Sequence, residues 1–146
     1  MKAEFTIFLI AAVAVTCGAR SIVRAASQAP QRTTKEALFT EAQAQRGAAL
    51  IRQIGCANCH GDTLEGGPEE TPALVGNSFV TEWQNQTLND LAIKVSSMPP
   101  NSNRQGTPQE NVDIMTLLLA INGYPMGDKE LSPDPEVLRQ IKIVLP

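Results

Sequence analysis

Gly55-Cys56-Ala57-Asn58-Cys59-His60 is the segment of this 146-residue sequence that carries the most chemical information. Two cysteines are separated by two residues, and a histidine directly follows the second cysteine. His60 is the sole histidine of the chain, and Cys17 is the one remaining cysteine. Any group bound here would therefore meet two thiols and one imidazole that are neighbours in the chain.

The C-x-x-C-H spacing predicts covalent attachment of one c-type haem. Two intervening residues let both sulfurs reach the two vinyl groups on one porphyrin edge, and His60 then lies under the ring, where it can bind iron. The alternatives are a structural disulfide, a thioredoxin-like redox pair and half of a zinc site. A redox pair usually comes with a βαβ pattern, which is absent, and a zinc site needs two further ligands. We predict one haem c attached at Cys56 and Cys59, with His60 as an iron ligand.

The sixth iron ligand must be of another type, because the chain has no second histidine. Methionine, lysine, tyrosine, water and an open site are the alternatives. Met98 precedes two prolines, which stiffen the backbone and can hold its sulfur in place. Met115 lies among the core positions of a helix, Met126 lies in a Pro-Met-Gly turn, and Met1 is expected to be removed. We predict Met98 as the ligand, and a thioether would raise the reduction potential relative to a second imidazole.

The first 25 residues have the pattern of an export signal. A basic residue precedes an apolar run over 5–15, which is shorter than the roughly 20 residues that a membrane span needs. A small-x-small rule places signal cleavage after Ala19 or Ala25, and Cys17 is an alternative lipidation site. We therefore predict a signal peptide over 1–25, a periplasmic location and no stable membrane span after signal removal.

Length and charge limit the remaining possibilities. Residues 27 to about 35 are polar and show no apolar period, so we expect a flexible leader over 26–39, followed by one domain over 40–146. Without residues 1–25 the chain keeps nine basic and fourteen acidic residues, a net charge near −5. This charge argues against nucleic acid as a partner and favours a partner with a basic patch. The low aromatic content, four Phe, one Tyr and one Trp, is consistent with a large apolar cofactor supplying bulk.

Helix signals predict an all-α fold of about four to five short helices around one haem. Thr40 and Gln43 have the spacing of a capping box, and Gly55 has the position of a left-handed C-cap. Residues 61–80 show neither a helical nor a strand period and are interpreted as an extended loop. No segment alternates at period two for the length of a full strand.

Further helices follow this loop. A short one is expected around 81–85. Thr87 caps the next, which ends near Ser96, and Thr107 caps a longer one that ends at Gly123. Each of these threonines is followed three residues later by a carboxylate, and a proline occupies the first position of the longer helix.

With these residues placed, the sequence resembles the class I cytochrome c family, in particular bacterial monohaem members, over residues 40–143. The family has the same order of elements: an N-terminal helix leading into C-x-x-C-H, a loop, short helices, a Met-Pro turn and a C-terminal helix. The resemblance implies that the Pro72 carbonyl accepts a hydrogen bond from His60. It also implies that Gly47 lies where the first and last helices cross, near 118–120.

The same resemblance suggests the pocket and the partners. Trp83 is expected to line the haem pocket with Phe79, Leu88 and Leu91, either as plain core or with its indole N–H aimed at a propionate. The segment 121–127, Ile-Asn-Gly-Tyr-Pro-Met-Gly, is similar to a subgroup often found beside periplasmic quinoprotein dehydrogenases, an analogy that carries little weight alone.

The resulting expectation is a one-electron carrier, and not an enzyme, that links a periplasmic dehydrogenase to an oxidase or another cytochrome. Docking would be small and transient, as in other redox encounters. Two alternatives remain: a haem-containing subunit of a dehydrogenase complex, and a haem protein with an open sixth site for ligand binding. An enzyme would more often place extra polar groups over the distal face, where Arg104 is the one strong candidate near Met98.

Overall fold

The computed structural model describes residues 31–68, 71–100, 102 and 106–146. Within those ranges the chain is mostly helical, with two very short strands paired in parallel. The elements are β1 (Arg32–Thr33), α1 (Glu41–Ile54), α2 (Ala57–His60), α3 (Gly76–Trp83), α4 (Leu88–Ser96), α5 (Pro108–Ile121), α6 (Pro135–Arg139) and β2 (Ile141–Lys142). The expected helical character is confirmed, with six helices among the described residues where about four to five were predicted.

Some predicted features lie outside the described residues. They are the signal peptide of residues 1–25 with Cys17 and Met1, and the distal Arg104. In the part of the chain that the structure describes, no helix has both the length and the apolar character that a membrane span requires.

Two helix starts follow the predicted capping chemistry. Thr87 accepts a hydrogen bond from the backbone N–H of Asp90, whose carboxylate accepts one from the Thr87 N–H in return. Thr107 and Glu110 make the same reciprocal pair at the start of α5, with proline at the first helical position. Each pair satisfies two backbone N–H groups that have no partner within the helix. The start of each helix is therefore specified by two residues three positions apart.

The capping box predicted at α1 forms only in part. The Thr40 hydroxyl accepts from the Gln43 N–H at 3.1 Å, as expected. The Gln43 side chain does not return to Thr40, because it is fully buried and bonds to the Leu131 backbone. Its Oε1 accepts from the Leu131 N–H at 2.7 Å, and its Nε2 donates to the Leu131 carbonyl at 3.0 Å. Gln43 therefore ties α1 to a distant loop.

Helices α1 and α5 form the main helix pair, and they cross at Gly47. A Cβ atom at this position would lie 2.1 Å from the Asp113 carbonyl oxygen and 3.0 Å from the Leu117 Cβ. The crossing is therefore earlier along α5 than the predicted 118–120. Next to this crossing, the Arg46 guanidinium makes a bidentate ion pair with the buried Asp113 carboxylate, at 2.8 and 3.1 Å.

The prediction of a flexible leader over 26–39 is wrong for residues 31–39, the part that the structure describes. Leu38 and Phe39 are buried in the core, with 6% and 1% exposure. The Thr34 hydroxyl accepts a hydrogen bond from the Val144 N–H at 3.1 Å, beside the pairing of β1 with β2. The leader is held by partners about 110 positions away, so a local apolar period could not indicate its packing.

Helix α3 corrects two further predictions. It spans Gly76–Trp83, so the helix expected around 81–85 begins earlier, and the end of the predicted loop 61–80 is helical. Phe79 and Trp83 are one turn apart, and both are buried. Burial of this apolar pair offsets the weak helix propensity of the glycine at the helix start.

Tyr124, the sole tyrosine, carries a buried hydroxyl whose ionisation can be tested. Its hydroxyl is buried without a hydrogen-bond partner among the described residues, and burial raises its pKa above the ordinary value near 10. The neighbouring Thr34 hydroxyl opposes this shift, but its own hydrogen bonds go to Val144.

We expect alkaline pH to destabilise the protein partly through Tyr124. Because its folded-state pKa is the higher one, the unfolded state releases the proton more readily, and stability falls as the pH rises above about 10. Tyr124→Phe should remove this part of the pH dependence and change stability at pH 8 by no more than about 1 kcal/mol. Urea unfolding of both proteins at pH 8 and 11 measures the difference. Equal losses on going to pH 11 would contradict the prediction.

Candidate functional site

The cysteine motif folds as a single helical turn directly after α1. Gly55 ends α1 in the left-handed region, with φ of 89°. The N–H groups of Cys59 and His60 then both donate to the Cys56 carbonyl, at 3.2 and 3.0 Å. Positions i, i+3 and i+4 of a helical turn share one face, so both thiols and the imidazole lie on the same side. Both cysteines are free thiols in the structure.

His60 is oriented by a hydrogen bond to the following loop. Its Nδ1 lies 2.8 Å from the Pro72 carbonyl oxygen, so the hydrogen bond implied by the family resemblance is present. A carbonyl only accepts, so Nδ1 must carry the proton in this contact. The remaining ring nitrogen, Nε2, is then the one with a lone pair for a metal.

The loop that carries Pro72 is packed tightly under the motif. A Cβ atom on Gly67 would lie 1.8 Å from the Cys59 carbonyl oxygen, so the loop backbone approaches the motif as closely as glycine allows. The Gly66 N–H donates to the His60 carbonyl at 3.1 Å, and the Leu74 N–H donates to the Leu64 carbonyl at 2.8 Å. These contacts hold the Pro72 carbonyl at a defined place relative to the imidazole.

A largely apolar cavity of about 480 Å³ opens beside this turn. The structure brings together there all six residues predicted for the site: Cys56, Cys59, His60, Pro72, Trp83 and Met98. Phe79 and Leu91 also line it, whereas Leu88 does not. Leu88 is fully buried elsewhere in the core, so its predicted place in the pocket is wrong. The Phe79 and Trp83 rings lie 6.5 Å apart, centroid to centroid.

Several further lining residues were not predicted. Apolar walls come from all the longer helices and from the loop: Ile51, Ile54, Leu74, Val95, Ile114 and Leu118. Polar side chains at the cavity include Ser78, Glu82, Lys94 and Asn111. Helical spacing could have indicated these lining residues from the sequence. Leu91, Val95 and Met98 lie three or four residues apart, and Ile114 and Leu118 lie four apart, so the members of each set share one side of a helix.

Met98 alone among the methionines of the described residues lines the cavity. It follows α4, and its N–H donates to the Val95 carbonyl at 3.1 Å. Met115 is completely buried in the core, as its helical position indicated, and Met126 is 49% exposed in its turn. Of the three, only Met98 shares the space with His60.

The donor set fits a covalently attached haem. The cavity lies within the roughly 300–1,000 Å³ range of cofactor pockets, and one wall presents two thiols and an oriented imidazole. Burial raises the pKa of the Cys56 thiol above its ordinary value. The described residues hold no cluster of three or more His, Cys, Asp or Glu side chains suited to a metal ion.

Comparison with protein-family models, with curated proteins and with solved structures finds no match.

Proposed function

We propose that this protein is a monohaem c-type cytochrome that carries single electrons in the periplasm. One observation carries the proposal: His60 bonds to Pro72 through Nδ1, and it lines the same apolar cavity as two free cysteines and Met98. A structural disulfide or a redox pair needs neither an oriented histidine nor a cavity of this size next to the cysteines.

The protein's own residues would divide the work of holding the group. The Cys56 and Cys59 thiols would add to its two vinyl groups as thioethers, which makes the attachment permanent. His60 and Met98 would hold the iron, and the Pro72 carbonyl would keep the imidazole ring in one orientation. Bound haem would supply a one-electron Fe(III)/Fe(II) couple.

The cavity walls would tune this couple. Ile51, Leu91, Val95 and Leu118 exclude water and lower the local dielectric, which disfavours the extra positive charge of the ferric state. A thioether from Met98 acts in the same direction. Both features support a carrier of raised potential, suited to accepting electrons from a dehydrogenase and passing them to an oxidase or another cytochrome.

The proposal is tested by replacing both attachment residues. Co-expressed with a c-type haem attachment system, the wild-type chain should keep its haem on a denaturing gel. The double variant Cys56→Ser, Cys59→Ser should lose it completely, because only noncovalent contacts remain. Haem staining of the gel and the alkaline pyridine spectrum measure covalent haem.

Asn58→Ala is the matched control, because Asn58 is exposed between the two cysteines and its replacement leaves the spacing unchanged. This variant should keep haem at the wild-type level. A wild-type chain without covalent haem under these conditions would overturn the proposed function.

A further inference from the structure

We propose that Asn122 is a positioning residue for His60 and acts through the loop that carries Pro72. The inference rests on the proposed function, since its consequence is a shift in the reduction potential of the bound haem. It also gives a physical role to Asn122, one residue of the segment 121–127 that carries part of the family resemblance.

Asn122 directly follows α5, and its side-chain amide makes three hydrogen bonds. Oδ1 accepts from the Gly76 N–H at 2.8 Å, and Nδ2 donates to the Leu74 carbonyl at 2.9 Å. Nδ2 also donates to the Leu118 carbonyl at 2.8 Å, which fixes the amide to the end of its own helix. One side chain therefore clamps the end of the loop and the start of α3 against α5.

The path from this clamp to the imidazole is short. Leu74 is held from both sides, because its N–H donates to the Leu64 carbonyl at 2.8 Å while its own carbonyl accepts from Asn122. Pro72 precedes Leu74 by two residues, so only Ala73 separates the two. A displacement of Leu74 therefore moves the Pro72 carbonyl, which lies 2.8 Å from His60 Nδ1.

The hydrogen bond at Nδ1 controls how the imidazole acts as a ligand. A proton shared with a carbonyl increases electron density on the ring, which raises the basicity of the ligating nitrogen. A more basic ligand stabilises Fe(III) relative to Fe(II). Loosening the clamp should therefore weaken the Nδ1 contact and raise the reduction potential.

The test compares Asn122→Ala, Asn122→Gln and Thr116→Val in the haem-loaded protein. The alanine variant removes all three contacts, and the glutamine variant keeps the amide one methylene further out. Thr116 is the matched control, because it is fully buried on the same helix and its hydroxyl donates to the Asp113 carbonyl at 2.8 Å, away from the Pro72 loop. Thr116→Val removes this hydrogen bond with little change in shape.

Two measurements separate positioning from general destabilisation: the reduction potential, and the solvent-exchange rate of the His60 Nδ1 proton by NMR. Asn122→Ala should raise the potential and accelerate the exchange roughly tenfold, the fold-change that corresponds to losing about one ordinary hydrogen bond, here the contact between Nδ1 and the Pro72 carbonyl. Asn122→Gln should recover part of both changes. Thr116→Val should lower the unfolding midpoint without moving either quantity.

The outcomes are distinguishable from those of the proposed function. If the wild-type protein holds covalent haem and Asn122→Ala matches Thr116→Val in potential and exchange rate, the positioning role is overturned and the cytochrome proposal stands. If the wild-type protein holds no covalent haem, the proposed function fails, and the positioning role fails with it.

Discussion

Met98→Ala is expected to open the sixth position of the haem iron and to lower the reduction potential. Met98 is the one methionine of the described residues that lines the cavity. Alanine has no donor atom, so water or an added ligand would take the position. Loss of a thioether favours Fe(III), and we expect a decrease on the order of 0.1 V, a fraction of the roughly 0.8 V range that axial ligands command.

Carbon monoxide tests this prediction, because it binds ferrous haem only where a coordination position of the iron is open or weakly held. The reduced wild-type spectrum should be unchanged by carbon monoxide, whereas the Met98→Ala spectrum should shift fully. Met126→Ala is the control, because Met126 is 49% exposed and does not line the cavity. It should behave as the wild type in both potential and spectrum.

Two results would contradict the assignment of Met98. An unchanged potential and spectrum in Met98→Ala would rule it out as the ligand, and Lys94, which also lines the cavity, would become the next candidate. A wild-type spectrum that already shifts would show an open or labile site. Ligand binding would then replace electron transfer as the leading function.

Gly47→Ala is expected to cause the largest loss of stability. The added Cβ would lie 2.1 Å from the Asp113 carbonyl oxygen, and a backbone atom inside a helix pair cannot move aside cheaply. Helices α1 and α5 would have to separate, at a cost of about 3 kcal/mol or more. Helix propensity alone predicts the opposite sign, a gain of about 1 kcal/mol from glycine to alanine.

An alanine-to-glycine substitution at an exposed position of the same helix measures the effect of helix propensity separately. Ala49 is exposed, so Ala49→Gly should destabilise the protein by about 1 kcal/mol without touching α5. Urea unfolding of both variants gives the two free energies of unfolding. A Gly47→Ala protein as stable as the wild type, or more stable, would mean that the helices do not approach at this point.

The grouping of two cysteines and a histidine could be predicted from the sequence because these residues are chain neighbours. Cys56, Cys59 and His60 lie within five positions, so one helical turn places them on one face whatever the rest of the chain does. The helix starts at Thr87 and Thr107 were predictable for the same reason, since each cap is completed three residues later. Met98 was selected by its local setting before prolines.

The hydrogen bond between His60 and Pro72 lies between the features that local sequence predicts and those that only the tertiary structure shows. It joins residues twelve positions apart across an irregular loop, and no periodicity indicated it. Family resemblance alone suggested the pair. The other contacts of that loop, at Gly67 and Leu74, became visible only in the structure, because they depend on how the backbone turns.

The sequence by itself therefore determined the helical class, the main helix starts and the donor groups of the site. Only the tertiary structure decided that residues 31–39 are packed, that Gly47 meets Asp113, and that Asn122 clamps the Pro72 loop. The reason is physical: a cap or a helical turn involves neighbours within about four positions, whereas these contacts join segments from 46 to 110 positions apart. Which distant segments meet depends on how all the helices pack at once, and no local pattern records it.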